Sequence, residues 1–274
     1  MRTFRANTLN SVAVGLAIVL AIVAPPAMAQ QAPMAETAVD AALNMANILD
    51  GASGGISSND LMSVLEEAAA EGQPAALWQL GLMYENGEGV EQDRVRAFGY
   101  FNKIAAEHAD AAPKGVDADI VAQSFVKVGE YYRDGLPEAG LIPNPGEYER
   151  RVQHAATYFG NADAQYLLGE MYTDDKALGD IPKLSYRWLT MAARKGQAQA
   201  QARLGDMVFN GDGVDANAEE GLMWLTVASR RVAGTIDEAW VNELLQNAMS
   251  VATPEQRIKG IELADTLGPR FGGL

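Results

Sequence analysis

The 274-residue chain has no cysteine. No disulfide can staple it, no thiolate can serve as nucleophile or soft metal ligand, and no lipid can be attached through sulfur. Histidine is scarce as well, with His108 and His154 the only two. Neither H-E-x-x-H nor any other paired-histidine metal spacing can be drawn, so the sequence predicts no metal and no cofactor. Base is short relative to acid, 21 Lys+Arg against 36 Asp+Glu, a formal net charge of −15. Such a chain repels nucleic acid and anionic membrane surfaces, both of which attract basic patches. Its electrostatic complement is a basic protein surface. Long apolar runs are missing too: the longest, Val12–Ala24, has 13 residues, where crossing a bilayer takes about 20. Aromatic residues are 7% of the chain and β-branched ones are few, which argues against strands.

What is present is helical material. Hydrophobic residues make up 48% and charged ones 21%, enough apolar surface for a packed core, and abundant alanine favours helix. The first residues have the layout of an export signal: Arg2 and Arg5, the apolar run, Pro25-Pro26, then Ala27-Met28-Ala29 ahead of a cut between Ala29 and Gln30. Removing residues 1–29 would leave 19 bases and 36 acids, a charge of −17. An exported chain without disulfides must hold together by packing, and together these features point to a bacterial periplasm.

Self-similarity organises the rest. Leu168-Gly169, Met171, Trp188-Leu189-Thr190 and Ala192 match Leu204-Gly205, Met207, Trp224-Leu225-Thr226 and Ala228 without gaps at an offset of 36. Leu80-Gly81 and Val128-Gly129 open looser copies, so the anchor glycines Gly81, Gly129, Gly169 and Gly205 lie 48, 40 and 36 residues apart. A period near forty means stacked supersecondary units. Each unit reads as two antiparallel helices. The glycine lets the second approach the first; Phe101, Trp188 or Trp224 on the second precedes a small alanine by four residues, large against small. Asn86-Gly87-Glu88-Gly89 and Asn210-Gly211-Asp212-Gly213 read as helix C-caps. The second unit carries an insertion with Pro137, Pro143 and Pro145, and the third departs from the glycine turn at Thr173–Ala177. A helix over 60–71 reads as an N-terminal cap. A pair near 235–250 and 254–267, begun by Thr253-Pro254, would seal the last unit. The expected division is leader 1–29, a segment with a hinge at 30–57, capping helix 58–72, four repeats over 73–231, and capping helices 232–274.

The pattern A-x-A-x-x-x-L-G-x-x-Y-x-x-G-x-G-V, closing on an Ala-Ala pair, resembles the Sel1-like repeat, a relative of the tetratricopeptide repeat. The resemblance implies an all-α solenoid wound as a right-handed superhelix and a protein-binding role. The absence of cysteine sets it apart from exported Sel1-like proteins stapled by one disulfide per repeat. The stretches Tyr100–Ala105, Ala156–Gly169 and Gly221–Thr226 further resemble the exopolysaccharide regulators (ExoR type) of alphaproteobacteria. That resemblance implies a periplasmic repressor that binds the sensor domain of a membrane histidine kinase, is cut by a periplasmic protease in acid, and so controls exopolysaccharide synthesis.

Catalytic chemistry finds little support. Gly51-Ala52-Ser53-Gly54-Gly55 matches G-x-S-x-G, but that elbow needs a strand before it and reads here as a hinge. Asn210, Asp212 and Asp215 lack EF-hand spacing. Stacking would align Glu130, Glu170 and Asp206, one residue after their anchor glycines, with Leu82 in the first repeat. Gln79, Lys127, Leu167 and Arg203 would align two residues before the glycines. These positions read either as a solvated face laced by the i,i+3 pairs Lys127–Glu130 and Arg203–Asp206 or as an acidic ladder for a basic partner. His108 reads as a favourable charge at a helix end, and His154 as a mid-helix packing residue or a pH sensor. Besides a kinase repressor, a general periplasmic scaffold and a cell-wall-directed enzyme remain open.

Overall fold

The computed structural model describes residues 58–173 and 178–272. The expected leader with its cut after Ala29, the segment 30–57 with Gly51–Gly55, and Asp174–Ala177 of the divergent turn lie outside them. Eleven α-helices follow one another in the described residues: α1 Ser58–Ala70, α2 Pro74–Asn86, α3 Arg94–Glu107, α4 Ala118–Asp134, α5 Pro145–His154, α6 Ala162–Met171, α7 Pro182–Arg194, α8 Ala198–Asn210, α9 Ala218–Arg231, α10 Glu238–Val251 and α11 Pro254–Leu267. The β-pairing among these residues is a single bridge, Leu136 with Leu141.

Local chemistry sets the boundaries. Pro74, Pro145, Pro182 and Pro254 stand in the first turns of α2, α5, α7 and α11, where a missing N–H costs nothing. Asp93, Asn144, Asn161, Gln197, Asn217 and Thr253 cap α3, α5, α6, α8, α9 and α11 by accepting from the first-turn amides. Gly87 and Gly211 end α2 and α8 in the left-handed region, φ 76° and 81°, which a side chain would resist.

The helices pack as pairs α2/α3, α4/α5, α6/α7 and α8/α9, each pair against the next, with α1 on α2 and with α10 and α11 both on α9. This is an all-α solenoid with helical caps. The anchor glycines do what their lack of a side chain allows. A Cβ on Gly81 would fall 2.5 Å from the Phe101 ring, one on Gly169 2.9 Å from the Leu189 side chain, and one on Gly205 2.8 Å from both the Leu225 side chain and its backbone nitrogen. The structure thereby corrects one equivalence. Phe101 corresponds to Leu189 and Leu225, twenty residues past their glycines, and not to Trp188 and Trp224. Phe101 and Trp224 are buried, while Trp188 is only half-buried against the core.

Two irregularities follow from residue counts. Ala192-Ala193 precedes Gly196 with two residues between, whereas Ala155-Ala156 precedes Gly160 with three. The extra residue is absorbed as one π turn, Ala155–Phe159, the usual form of a single insertion in a helix. The proline insertion closes as a 3-10 turn, Pro137–Ala139, under the Leu136–Leu141 bridge, which buries Leu136 completely.

Candidate partner-binding surface

The aligned polar positions belong to the first helix of each pair, α2, α4, α6 and α8. Their charges are not simply paired along one helix. Lys127 Nζ does lie 3.8 Å from Glu130, but it donates at 2.9 Å to Glu85 of the preceding repeat, which also accepts from the Tyr131 hydroxyl at 3.2 Å. Arg203 lies 3.5 Å from Glu170, again one repeat back, and its guanidinium sits 5.0 Å from the centroid of the Trp240 ring. Asp206, the expected i,i+3 partner of Arg203, instead accepts from the Asn210 amide at 2.9 Å. The bases two residues before the glycines therefore link successive repeats, because stacking brings the previous repeat's carboxylate nearer than their own helix does. Gln79 is half-buried at the matching place on α2.

Glu170, Arg203 and Asp206 meet on an open cavity of about 390 Å³ between the third and fourth repeats. Thr173, Asp180 and Asp212 join them around it, over a floor that includes Leu189 and Met207. Four carboxylates thus stand against one guanidinium. Burial raises the Asp206 carboxyl above its ordinary value, and the nearby Asp212 charge adds to it; the Arg203 charge and the Asn210 hydrogen bond oppose. Burial likewise raises Glu130, with Lys127 the main opposing charge. Tyr166, near Glu170 and Arg203, is pushed up to about 12, chiefly by burial. A recess in which burial makes Asp206 costly to ionise gains when a cation enters.

Asp180 and Glu85 carry no sequence signal, and Asp212 shows in the sequence only as part of a turn without EF-hand spacing, because only the stacking of turns on neighbouring helices places them here. Asp212 sits in the glycine turn that packs Gly213 against Pro182, a contact no spacing announces.

The histidines are placed differently from one another. His108 is the C-cap of α3, its Nε2 3.1 Å from the Gly72 carbonyl. His154 lies inside the continuous helical run 145–159, at the last α residue before the π turn. Its ring lies 4.5 Å from Phe125, 5.2 Å from Tyr158 in a stacked arrangement, and 5.5 Å from Phe159, with Nε2 3.2 Å from the Ala109 carbonyl. Among the described residues no group of three or more His, Asp or Glu could hold a metal ion, and no helix is long and apolar enough to cross a membrane.

Comparison with known proteins agrees with this geometry. The Sel1 repeat family matches residues 74–108, 162–197 and 198–231, the pairs α2/α3, α6/α7 and α8/α9. The unmatched stretch holds α4/α5, where the proline insertion and the π turn distort the pattern. Two curated relatives, from Rhizobium meliloti (strain 1021) and Rhizobium leguminosarum bv. viciae, are each named exopolysaccharide production negative regulator. Each is 26% identical over 129 residues, 47% of this chain and 47% or 48% of theirs, so the matched part spans about half their length. Among solved structures, a Sel1 repeat protein from Oxalobacter formigenes superposes with a TM-score of 0.57 at 23% identity, covering 82% of this chain and 86% of that one. A protective antigen of uropathogenic Escherichia coli strains with the same repeat fold gives 0.50 at 17% identity, covering 84% and 53%. These two likenesses concern the fold.

Proposed function

We propose that this chain is a periplasmic, non-catalytic repeat protein that binds the sensor domain of a membrane histidine kinase and represses it, and so acts as a negative regulator of exopolysaccharide production. The observation that carries the binding part is the cavity between the third and fourth repeats. Glu170, Asp180, Asp206 and Asp212 surround it with one base among them, the electrostatic complement of a basic side chain on a partner. The name shared by the two rhizobial relatives supports the regulatory part; the kinase and the compartment rest on the family resemblance and on the leader-like first 29 residues.

Acid should weaken such a complex. Glu130 and Asp206, raised by burial, take up protons before ordinary carboxylates do, and each proton removes part of the attraction to a basic surface. The test is capture of periplasmic histidine-kinase sensor domains by residues 30–274, at pH 7 and at pH 5. One domain should bind at neutral pH and less well in acid. The double variant Glu170→Lys with Asp206→Lys should lower neutral affinity by at least about tenfold, the loss of one desolvated charge contact. Capture of no sensor domain at either pH would move the reading to a general periplasmic scaffold. Capture unaffected by charge reversal would place the interface on another face.

A further inference from the structure

Where two repeats meet, a donor at the end of one helix pair holds the backbone of the turn before it. His108 Nε2 lies 3.1 Å from the Gly72 carbonyl, His154 Nε2 lies 3.2 Å from the Ala109 carbonyl, and Lys195 Nζ donates to the Gly160 carbonyl. Arg231 ends α9, thirty-six residues after Lys195. Its guanidinium donates to the carbonyl of Phe271, in the segment that follows α11. At the last junction, then, the turn that follows α11 stands where a turn carbonyl serves the earlier repeats.

Particular contacts seat residues 271 and 272. The Phe271 ring stacks on Trp224 with centroids 4.4 Å apart and a tilt of 34°. Gly272 lies backbone to backbone on the turn between the third and fourth repeats: a Cβ on it would fall 2.5 Å from the Lys195 carbonyl and 2.6 Å from the Gly196 Cα. Both glycines have positive φ, 69° and 94°, so no side chain is tolerated on either side of this contact. Beside the stacked rings an open cavity of about 380 Å³ remains, bordered by Arg194, Glu219, Glu220, Met223, Leu263 and Leu267. The Trp224 indole N–H is buried and has no hydrogen-bond partner among the described residues.

A segment that merely sealed a helix end would be held by apolar side chains filling their space. This one rests on one ring set beside Met223, Leu263 and Leu267, on a carbonyl that accepts from Arg231 and on an obligatory glycine. It leaves a cavity open and an indole donor unsatisfied. Those are the features of peptide recognition, in which the backbone supplies affinity and one side chain the anchor. We propose that the seat formed by Trp224, Arg231 and Gly196 is a peptide-binding site, held in cis by Arg270-Phe271-Gly272, for an extended partner segment of the form basic–aromatic–glycine. The basic position follows from the rim, where Glu219 and Glu220 outnumber Arg194, and from exposed Arg270, which precedes Phe271 in the resident segment. The proposal rests on the reading of the chain as a protein-binding repeat protein and adds a second recognition point to it. A partner offering such a segment displaces the tail, so the tail sets a threshold for binding.

The test uses a fluorescein-labelled peptide with the sequence of residues 268–272, titrated by anisotropy into the full chain and into the full-chain variants Phe271→Ala and Gly272→Val. Both variants lose tail docking by different means, one through the ring and one through the backbone clash. Each should bind the peptide at least about tenfold more tightly than the parent does. A peptide with alanine in place of phenylalanine should bind none of them. Variants that bind no better than the parent, or an alanine peptide that binds equally well, would overturn the site. A measurement that needs no variant guards against unfolding: excess peptide should speed deuterium uptake at residues 268–272 of the parent chain, and unchanged uptake counts against the proposal. Because the peptide assay involves no kinase, peptide binding without sensor-domain capture sinks only the regulatory reading, and the reverse sinks only the seat.

Discussion

Gly205 and Gly129 hold the same place in two repeats, yet their surroundings differ. A Cβ at Gly205 would lie 2.8 Å from the Leu225 backbone nitrogen and 2.9 Å from the Gly221 carbonyl, groups locked in the facing helix. At Gly129 the nearest atom is 3.2 Å away on the Tyr148 side chain, which can swing aside. Alanine is favoured over glycine in a helix by about 1 kcal/mol, whereas forcing apart packed backbones costs about 1–3 kcal/mol. Gly205→Ala should therefore lower the urea unfolding free energy by roughly 1–3 kcal/mol, and Gly129→Ala should stay within about 1 kcal/mol of the parent. Equal stability of Gly205→Ala and the parent would refute the close-approach role. The anchor glycines were legible from their recurrence. Phe101 was read correctly against Gly81, but in the third and fourth repeats counting back from alanine selected Trp188 and Trp224 where the packing selects Leu189 and Leu225.

At the scale of elements, the capping helices are as informative as the repeats. Thr253 and Gln256 form a reciprocal capping box over Pro254, a signal visible in the sequence and found at the expected residue. Beneath it α11 lies across α9, with buried Gly260 so close to Leu222 that a Cβ would fall 2.6 Å from it. Removing a cap hydroxyl costs about 1 kcal/mol. Thr253→Ala should lose about that much in a thermal or urea melt, with faster amide exchange in α11 but not in α4; uniform acceleration along the chain would argue against an independently fraying cap. The π turn at Ala155–Phe159 was written in the sequence as one surplus residue before Gly160. Without packing there was no way to tell whether that residue would lengthen the loop or bulge the helix. The bulge prevails because Ala155 and Ala156 are held in the core, which leaves the helix end as the place to absorb the insertion and brings His154 against Phe125, Tyr158 and Phe159.

Charge acts on the molecule as a whole. Glu130 and Asp206 have carboxyl pKa values raised in the folded chain, while Asp134, hydrogen-bonded by Arg133, and exposed Glu255 at the start of α11 are lowered. A raised carboxyl binds its proton more tightly when folded. Its stabilising effect is full below the unfolded value of about 4 and is lost as pH rises through the folded value. A lowered carboxyl does the reverse, contributing above about 4 and failing as pH falls through its folded value. As pH falls, the first pair takes up protons ahead of ordinary carboxylates while the second keeps its charge longer, and the self-repulsion of a chain at −15 eases. Thermal melts followed by circular dichroism should accordingly show a Tm that holds or rises from pH 7 to 5 and falls below about 4. A steady decline from pH 7 to 5 would contradict this. If the Tm holds, any loss of partner binding at pH 5 comes from charge on the docking face and not from unfolding.

The sequence by itself determined the repeat, its helical phase, the caps and the sign of the surface, because each depends on neighbours a few residues away or on composition. Proline and capping side chains set helix starts, glycine sets turns, and the balance of acid over base needs no fold at all. Tertiary structure alone decided what stacking brings together. Lys127 turns to Glu85 and Arg203 to Glu170 across repeats, Asp180 and Asp212 join Glu170 and Asp206 around one cavity, and Phe271 returns to Trp224. The two ion pairs and the ring contact join residues more than thirty positions apart, where small rotations between successive repeats, and not local propensity, fix which side chains meet.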